Sequence, residues 1–595
     1  MRKVVTSRSP LLLLPCLSVT VSFLLAAPPS SLKPPKREVR AVWIATTSGL
    51  DWPRSANPDE QRRSLRAIIE RISKARLNTL FFQVRGRGDA LYRSAFEPWA
   101  APLTGTPGRD PGWDPLEFVI GEAHKRGLEL HAWFNTFKVK SGPGPLPQTV
   151  PPHVLEAHPE WVKQYKEEWW MDPAIPGVRD YLLRLVMDLV RKYDLDGIQF
   201  DFIRYPGIDY DDDDSYRRYG KTAGRAEWRR ENITEFIRTA YDSISSVKPM
   251  MKVGSTPIGI YQNIGGSNGW EGRNSVFQDS RAWLKERKHD YLAPQIYWDI
   301  GVSEMDPDFS SLVADWQANC YGRQIYVGVG AYKPHVLKEI FREIDVVRAN
   351  RCAGVSFFRY ENVADVRVFG GRFRTLANIP PMAWKDSIPP EPPANLTVTE
   401  MAHGNFLLTW NPPDVASDGD TARYYDVYRS TKEPVDIEDP DNLTFITASS
   451  TNAYLDIIGQ PKAVKYYYTI TALDKGHNES LPAIVKPVIV EEIDELARLF
   501  QPKTALGRSY VDPEQQVVYI PFSVQDSSLT SLWISNLDNI PAHILLDTLL
   551  SPGLYLTSLD LRNVQPGEYS CHLRTDTSLL EKPLKVEPRP AAKPL

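Results

Sequence analysis

Between Arg40 and Phe358 the chain alternates short apolar runs with longer stretches in which apolar residues recur every three to four positions. The short runs have the length of buried strands, and the longer stretches have the period of amphipathic helices. Several of these helical stretches end in Lys or Arg, which the helix dipole favours. The predicted strands span residues 40–46, 79–85, 129–135, 197–202, 252–256, 291–297, 325–329 and 354–358. The predicted helices span residues 59–74, 115–126, 178–193, 225–245, 280–288, 309–319 and 334–350.

Eight strands that alternate with helices over about 320 residues match the number and order of elements and the length of a (β/α)8 barrel. An open, doubly wound sheet is the alternative, but no G-x-G-x-x-G motif follows the first strand. The sequence therefore predicts an α/β domain, a TIM barrel, at residues 36–385.

The composition changes beyond the barrel, where a Pro-rich segment that includes Pro389 and Pro390 predicts an extended linker. Short alternating strands follow it at the spacing of a β-sandwich. With Trp410 in an early strand and a Tyr-rich run at 466–472, residues 388–490 resemble a fibronectin type III domain. Residues 491–595 are again rich in predicted strands, so we expect two all-β, immunoglobulin-like sandwich domains after the barrel.

The amino terminus has the features of an export signal. Arg2 and Lys3 precede an apolar stretch that ends in small residues, which predicts a signal peptide at residues 1–27. A membrane anchor is the poorer alternative, because Pro15 interrupts a stretch of marginal length. Pro15 rather than a small residue precedes Cys16, which argues against lipid attachment there. We expect an exported protein of the periplasm or cell surface, without a transmembrane helix in its mature form, and leave peripheral envelope attachment open.

Charge and cysteine content exclude several classes of partner. The net charge is −4 without a Lys/Arg block, which argues against nucleic acid as the main partner. Four cysteines without a C-x-x-C pair do not indicate structural zinc, and the acidic run at 209–214 lacks the Gly and closing Glu of an EF-hand loop. We therefore expect no metal and no cofactor. Cys320 and Cys352 precede two predicted strands; whether they form a disulfide or remain buried thiols is open.

Carboxylates, amides, Arg and aromatic residues follow the predicted strands at the end where TIM barrels carry their active sites. Such a rim suits a sugar polymer, because aromatic faces stack on sugar rings while amides and Arg bind hydroxyl and acetamido groups. The predicted substrate-binding residues are Trp43, Arg85, His131, Trp133, Asn135, Arg204, Tyr205, Gln295, Tyr297 and Trp298. For His131, a hydrogen-bonded core position is an equal alternative.

Cleavage of a glycosidic bond requires two carboxyl groups, one protonated acid and one base or nucleophile. Asp201 ends an apolar strand, where a buried carboxylate is costly unless it has a partner or a task. In the alternative interpretation, Asp201 has a structural role and forms an ion pair with Arg204 or Arg85. Asp299 after strand six and Asp89 after strand two are the candidates for the second carboxylate, although Asp89 has Arg neighbours that it would also hold.

These residues occur within segments that resemble the glycosyl hydrolase-like family 10, exported bacterial barrels often lipid-anchored. The matching segments are 37–43, 51–53, 83–85, 89–92, 97–99, 114–116, 122–133, 196–198, 201, 204–206, 228–230 and 294–298. The resemblance implies a (β/α)8 glycosidase, a link to bacterial cell-wall glycan that includes peptide-stripped peptidoglycan strands, and a catalytic Asp at Asp201.

The chain also departs from that family's pattern. Some relatives have a His and a second Asp where this chain has Gln199 and Phe202. The leading hypothesis is an exported glycoside hydrolase that acts on a cell-wall or N-acetylated polysaccharide, with peptidoglycan glycan strands favoured. Phe202 motivates the alternative, a catalytically inactive glycan-binding barrel.

Overall fold

The computed structural model of the protein describes residues 33–483 and 504–586, with gaps at 221–223, 266, 302–306, 402–404, 449–451, 459–464, 508, 513–516, 527, 537–540, 551–552 and 562–563. The predicted signal peptide at 1–27, with Cys16, lies outside the described residues. Among the helices of the described part, none combines the length and apolar character needed to cross a membrane.

The described part of the first domain contains twelve strands, most of them fully buried. In chain order they are β1 (Val39–Ile44), β2 (Thr79–Arg85), β3 (Glu129–Asn135), β4 (Lys138–Ser141), β5 (Val162–Tyr165), β6 (Glu168–Met171), β7 (Gly197–Asp201), β8 (Lys252–Ser255), β9 (Tyr291–Leu292), β10 (Gln295–Ile296), β11 (Gln324–Val329) and β12 (Gly354–Phe357). Parallel pairing runs β12-β1-β2-β3-β7-β8-β9, and β11 closes the ring by pairing with both β9 and β12. Since β9 and β10 form two segments of strand six, the predicted eight-stranded barrel is confirmed.

Twelve α-helices of the described residues surround or follow these strands. They are α1 (Pro58–Lys74), α2 (Pro115–His124), α3 (Val154–Ala157), α4 (Pro176–Lys192), α5 (Asp213–Tyr219), α6 (Arg225–Val247), α7 (Gly272–Ser275), α8 (Ser280–Lys285), α9 (Phe309–Ala318), α10 (Pro334–Leu337), α11 (Ile340–Ala349) and α12 (Tyr360–Val363). Helices α1 and α2 begin alike: the side chain of Asn57 or Asp114 accepts hydrogen bonds from the first-turn amides, and Pro follows directly. The predicted helix at 334–350 is two helices.

A short antiparallel sheet, with strand order β4-β6-β5, follows β3 and was not predicted from the sequence. Its strands have four residues each, and a Gly- and Pro-rich stretch separates β4 from β5, so neither length nor period indicates them. This sheet places Glu168 and Trp170 close to the end of β7, as the contacts of Lys138 and Arg204 show below.

The remaining strands are antiparallel, in agreement with the predicted all-β region. They are β13 (Ala394–Met401), β14 (Asn405–Asn411), β15 (Tyr424–Ser430), β16 (Leu443–Ala448), β17 (Ala453–Asp456), β18 (Tyr467–Leu473), β19 (Ala505–Leu506), β20 (Tyr510–Asp512), β21 (Val517–Val524), β22 (Ser528–Ser535), β23 (Pro541–Leu550), β24 (Gly553–Asp560), β25 (Gly567–Arg574) and β26 (Leu579–Val586). The first module has sheets β13-β14-β17 and β16-β15-β18, and the second has four strands in each sheet. The last residues of the predicted fibronectin type III domain, 484–490, lie outside the described residues.

The first β-module contacts the amino-terminal face of the barrel through two buried charge clusters and one partly exposed ion pair. Glu129, at the start of β3, accepts from Lys252 Nζ at 2.6 Å and lies 2.7 Å from His477 Nε2 of the β-module. Lys36 pairs with Glu479 at 2.6 Å, and Asp194 pairs with Lys475 at 2.9 Å. These contacts lie at the end of the barrel opposite to the predicted active site.

The two strands that Cys320 and Cys352 precede, β11 and β12, are parallel neighbours as expected. Both cysteines are free thiols. Burial raises the pKa of the Cys352 thiol to about 12, and the nearby Cys320 contributes to this shift.

Candidate active site

The register of β3 and β7 determines which side chains meet inside the barrel. Trp133 pairs with Gln199, and Asn135 pairs with Asp201. Because side chains alternate between the two faces of a strand, Gln199 and Asp201 share one face of β7, just as Trp133 and Asn135 share one face of β3. Asp201 is the last residue of β7, at the carboxyl end of the barrel.

Both carboxylate oxygens of Asp201 accept a hydrogen bond. Trp133 Nε1 donates to Oδ2 at 3.1 Å, and the Phe202 amide donates to Oδ1 at 2.6 Å. Phe202 adopts a φ of 48°, a left-handed conformation that is uncommon and costly for a non-glycine residue. Burial raises the pKa of Asp201 to about 6, against the opposing effect of these donors and of the Arg204 charge.

Three buried polar atoms beside this carboxylate have no hydrogen-bond partner among the described residues. They are Asn135 Oδ1, Thr136 Oγ1 and Gln199 Nε2. Thr136 belongs to the same corner, since its amide donates to the Asp201 carbonyl oxygen at 2.7 Å. Buried polar groups are normally paired, so a cluster of unpaired ones around one carboxylate is what a site for a polar ligand requires.

Aromatic rings form one side of this site. The Phe358 ring lies about 6 Å from three others, at centroid distances of 5.9 Å to Tyr297, 6.0 Å to Trp43 and 6.1 Å to Trp133. Tyr297 is half-buried, and burial together with the Asp201 charge raises the pKa of its hydroxyl well above the usual value. Trp43 is fully buried, and its indole N–H donates to Gln199 Oε1 at 2.7 Å, so it supports the site from below.

Two cations flank the Phe202 ring. Lys138 Nζ lies 4.9 Å from the ring centroid and pairs with Glu168, whereas the Arg204 guanidinium lies 5.3 Å from the same centroid. Both cations lower the pKa of Asp201. Glu168 acts on Arg204 as well, so it is a carboxylate close to this corner.

Asp89 lies beside a groove of about 720 Å³ that is lined by the loops after β1 and β2, with Thr46 and Gly86 among its lining residues. Its Oδ1 accepts from the Arg87 amide at 2.8 Å, and burial raises the pKa of its carboxyl group. Gly86 connects the groove to the site, because its carbonyl oxygen accepts from Asn135 Nδ2 at 2.8 Å.

Asp299 faces another group of residues. Its Oδ1 lies 3.4 Å from His335 Nε2 of α10, and its charge helps to raise the pKa of the buried Glu343 on α11. The Asp299 side chain thus lies toward α10 and α11, and its carbonyl oxygen accepts from the Phe309 amide of α9 at 3.0 Å.

Three predicted substrate-binding residues are buried and fully engaged in the protein. Arg85 is completely buried and holds Glu97 through two hydrogen bonds of 2.8 and 2.6 Å. His131 Nδ1 lies 2.8 Å from the Tyr291 hydroxyl, in a space that exists because residue 197 is glycine: a Cβ there would lie 2.6 Å from the same ring atom. Tyr205 is also fully buried. These positions give Arg85, His131 and Tyr205 structural roles and favour the core alternative for His131.

The other predicted residues are distributed over the rim. Gln295 and Trp298 are half-buried; Gln295 Nε2 lies 3.4 Å from the Thr256 carbonyl oxygen, and Lys333 Nζ lies 5.8 Å from the Trp298 ring centroid. Sequence reasoning did not select Gln199, Thr136, Phe358 or Glu168. The alternation of side chains along β7 could have indicated Gln199. No sequence pattern places Glu168 near the site, because its position depends on the unpredicted sheet β4-β6-β5.

Among the described residues, one group of three carboxylates is compact enough to hold a metal ion, namely Asp386, Asp418 and Asp420. It lies at the junction of the barrel and the first β-module, since Asp386 Oδ2 accepts from Asn478 Nδ2 at 2.8 Å. The candidate active site therefore consists of carboxylates, amides, cations and aromatic rings.

The family model of glycosyl hydrolase-like 10 matches residues 38–339, which contain β1 to β11 of the barrel. Glycosyl hydrolase YngK of Bacillus subtilis is 31% identical over 77% of this chain and 95% of its own length. Glycosyl hydrolase DigH of Escherichia coli K12 is 34% identical over 52% of this chain and 78% of its own length. Among solved structures, α-L-fucosidase isoenzyme 2 from Paenibacillus thiaminolyticus is 13% identical, with a TM-score of 0.40, over 61% of this chain and 52% of that one. The chain belongs to the glycosyl hydrolase-like 10 family and is a glycoside hydrolase.

Proposed function

We propose that this glycoside hydrolase is exported and cleaves a bacterial cell-wall glycan, with peptidoglycan glycan strands as the favoured substrate. The observation that carries the proposal is Asp201, a buried carboxylate at the carboxyl end of β7 whose two oxygens are held by Trp133 and by the Phe202 amide. A carboxylate fixed in this way beside unpaired polar atoms has the orientation that displacement at a sugar carbon requires.

The mechanism uses two carboxyl groups, with Asp201 as the nucleophile or base. The hydrogen bonds to Asp201 come from N–H donors, which favour its ionised form once the pH exceeds its pKa of about 6. Asp89 is the protonated acid that donates to the leaving oxygen, because burial raises its pKa in the direction that a general acid needs. What supports Asp89 over Asp299 is its link to the site through Gly86 and Asn135.

The half-buried Tyr297 and Trp298 give the rim aromatic faces on which sugar rings stack. Asn135 and Thr136 offer polar atoms for hydroxyl and acetamido groups. Residues 388–490 belong to this proposal as a fibronectin type III domain that supports the barrel from its opposite face, and peripheral attachment to the cell envelope would bring the rim to an insoluble polymer.

Product analysis by mass spectrometry tests the proposal. The purified mature protein and its Asp201→Asn variant are incubated with intact peptidoglycan, peptide-stripped glycan strands and chitin oligomers. We expect soluble fragments from cell-wall glycan with the unmutated protein only. Equal release by the Asp201→Asn variant would overturn the role of Asp201, and cleavage of chitin oligomers alone would overturn the cell-wall substrate.

A further inference from the structure

The Arg204 guanidinium lies among three aromatic rings at the rim. Its central carbon is 4.8 Å from the ring centroid of Trp270, 5.0 Å from that of Trp170 and 5.3 Å from that of Phe202. Trp270 keeps 48% of its surface exposed, so this aromatic cage opens to solvent on one side. Aromatic faces hold a guanidinium in a fixed plane and leave its in-plane N–H donors available.

Arg204 has no carboxylate partner among the described residues. Its one hydrogen bond there goes from Nη1 to the Tyr205 carbonyl oxygen at 3.3 Å. Its Nε and Nη2 groups donate no hydrogen bond to the described residues, and the residue is half-buried.

Several other cations of the barrel are neutralised by a carboxylate. Arg85 pairs with Glu97 at 2.6 Å, Arg229 pairs with Asp212 at 2.7 Å, and Lys138 on the same Phe202 ring pairs with Glu168. Taking a charge out of water without a counter-ion is costly, and burial lowers the pKa of Arg204 to about 10. A half-buried cation that aromatic rings hold in place, with N–H donors not used by the described residues, is suited to bind an anion.

Arg204 is also close to the proposed catalytic carboxylate. It follows Asp201 by three residues, and among charged groups it has the largest lowering effect on the pKa of Asp201. A ligand anion on Arg204 would therefore belong to a sugar unit next to the bond that is cleaved.

We propose that Arg204 is the specificity residue that binds a free carboxylate carried by a sugar ring beside the scissile bond. This inference rests on the proposed function. Uronic-acid polymers carry such a group, and so do peptidoglycan strands without peptides, in which the lactyl ether ends in a carboxylate. Attachment of a peptide converts the lactyl carboxylate into a neutral amide, so Arg204 selects stripped strands.

The experiment compares one glycan with and without its charge. Stripped strands are tested as the free acid and after their carboxylates have been converted to primary amides, which removes the charge and adds almost no bulk. The unmutated protein should have a kcat/KM about 10- to 100-fold higher on the acid, the range of hydrogen bonds to charged groups. In Arg204→Gln this ratio should fall to near one, and Arg204→Lys should retain part of it.

The matched control is Arg218→Gln. Arg218 is exposed and lies 5.4 Å from the Tyr219 ring centroid, so it reproduces a stacked arginine away from Asp201. This variant should keep the full acid-to-amide ratio. If Arg204→Gln is less stable, calorimetric binding of the two glycans to Asp201→Asn, with and without Arg204→Gln, measures the same ratio without catalysis.

The outcomes separate the two proposals. Hydrolysis of stripped strands with equal kcat/KM on acid and amide would overturn the role of Arg204 and leave the proposed function standing. Absence of hydrolysis on every glycan, with acid-selective binding that depends on Arg204, would overturn the proposed function alone. Preference for a polyuronate over stripped strands would support carboxylate binding by Arg204 and overturn the lactyl source.

Discussion

Trp133 Nε1 donates a hydrogen bond of 3.1 Å to Asp201 Oδ2 and thereby joins β3 to the last residue of β7. Because Asp201 is buried, this donor offsets part of the cost of its charge. The same indole packs 6.1 Å from the Phe358 ring, which fixes its plane. The orientation of the proposed catalytic carboxylate thus depends on Trp133, one position beyond the centre of the neighbouring strand β3.

Replacement of Trp133 by Phe keeps a ring in place and removes the N–H donor. We expect kcat to fall about 10-fold, the value of a lost charge-assisted hydrogen bond. Activity should rise with pH as Asp201 ionises with its pKa of about 6. Because loss of a donor raises the pKa of a carboxylate, the acidic limb of the pH–activity profile should move to higher pH in the variant. Trp384→Phe is the control, since Trp384 also donates to an Asp, at 2.9 Å to Asp290, but at another place. An unchanged acidic limb in Trp133→Phe would count against the assignment.

Asp201→Asn should abolish hydrolysis and still stabilise the protein at neutral pH. The pKa of Asp201 is about 6 in the folded protein, whereas the ordinary value of 3.8 applies to the unfolded chain. The native state therefore binds more protons, and its stability falls as the pH rises from about 4 to 6. The resulting cost at pH 7 is about 3 kcal/mol, and the Asn variant avoids it while losing about 1 kcal/mol of hydrogen bonding. Urea unfolding of both proteins at pH 7.5 and pH 4 measures the difference in their free energies of unfolding. If the variant were less stable than the unmutated protein at pH 7.5, the statement that the buried Asp201 charge destabilises the fold would be wrong.

The identity of the acid can be tested with two kinds of substrate. Asp89→Asn should lower kcat on a cell-wall glycan by about 100- to 10,000-fold, the usual contribution of general acid catalysis. On an aryl glycoside with an acidic phenol as leaving group, the loss should be small because that group needs no proton. Asp299→Asn should stay close to the unmutated protein on both substrates, since the Asp299 side chain lies against His335 of α10. If Glu168→Gln rather than Asp89→Asn gives the leaving-group pattern, Glu168 is the acid.

The hydrophobic pattern was sufficient to predict the barrel strands; β2 and β3 have the predicted bounds. Parallel strands buried on both faces leave a strong local signal. That signal also predicted Asp201, because a carboxylate at the end of an apolar run is conspicuous. It did not reveal that Arg85 is occupied by Glu97 or that Glu168 approaches Arg204, because both contacts depend on loop geometry rather than on period.

The Arg85–Glu97 pair should stabilise the barrel and its rim together. Both side chains are completely buried, and Arg85 also donates to the Thr136 carbonyl oxygen at 2.9 Å. Removing one partner of a buried pair leaves an uncompensated charge, so Glu97→Ala should lower the free energy of unfolding by about 3–5 kcal/mol. Arg54 and Glu361 form an exposed pair of the same length, 2.6 Å, and Glu361→Ala should cost less than about 1 kcal/mol. Chemical unfolding followed by tryptophan fluorescence compares the two variants.

Equal losses of unfolding free energy in the two variants would mean that Arg85 finds another counter-ion. A larger loss in Glu97→Ala, together with a reduced kcat, would show that the Arg85–Glu97 pair positions the end of β3, where Asn135 and Thr136 lie.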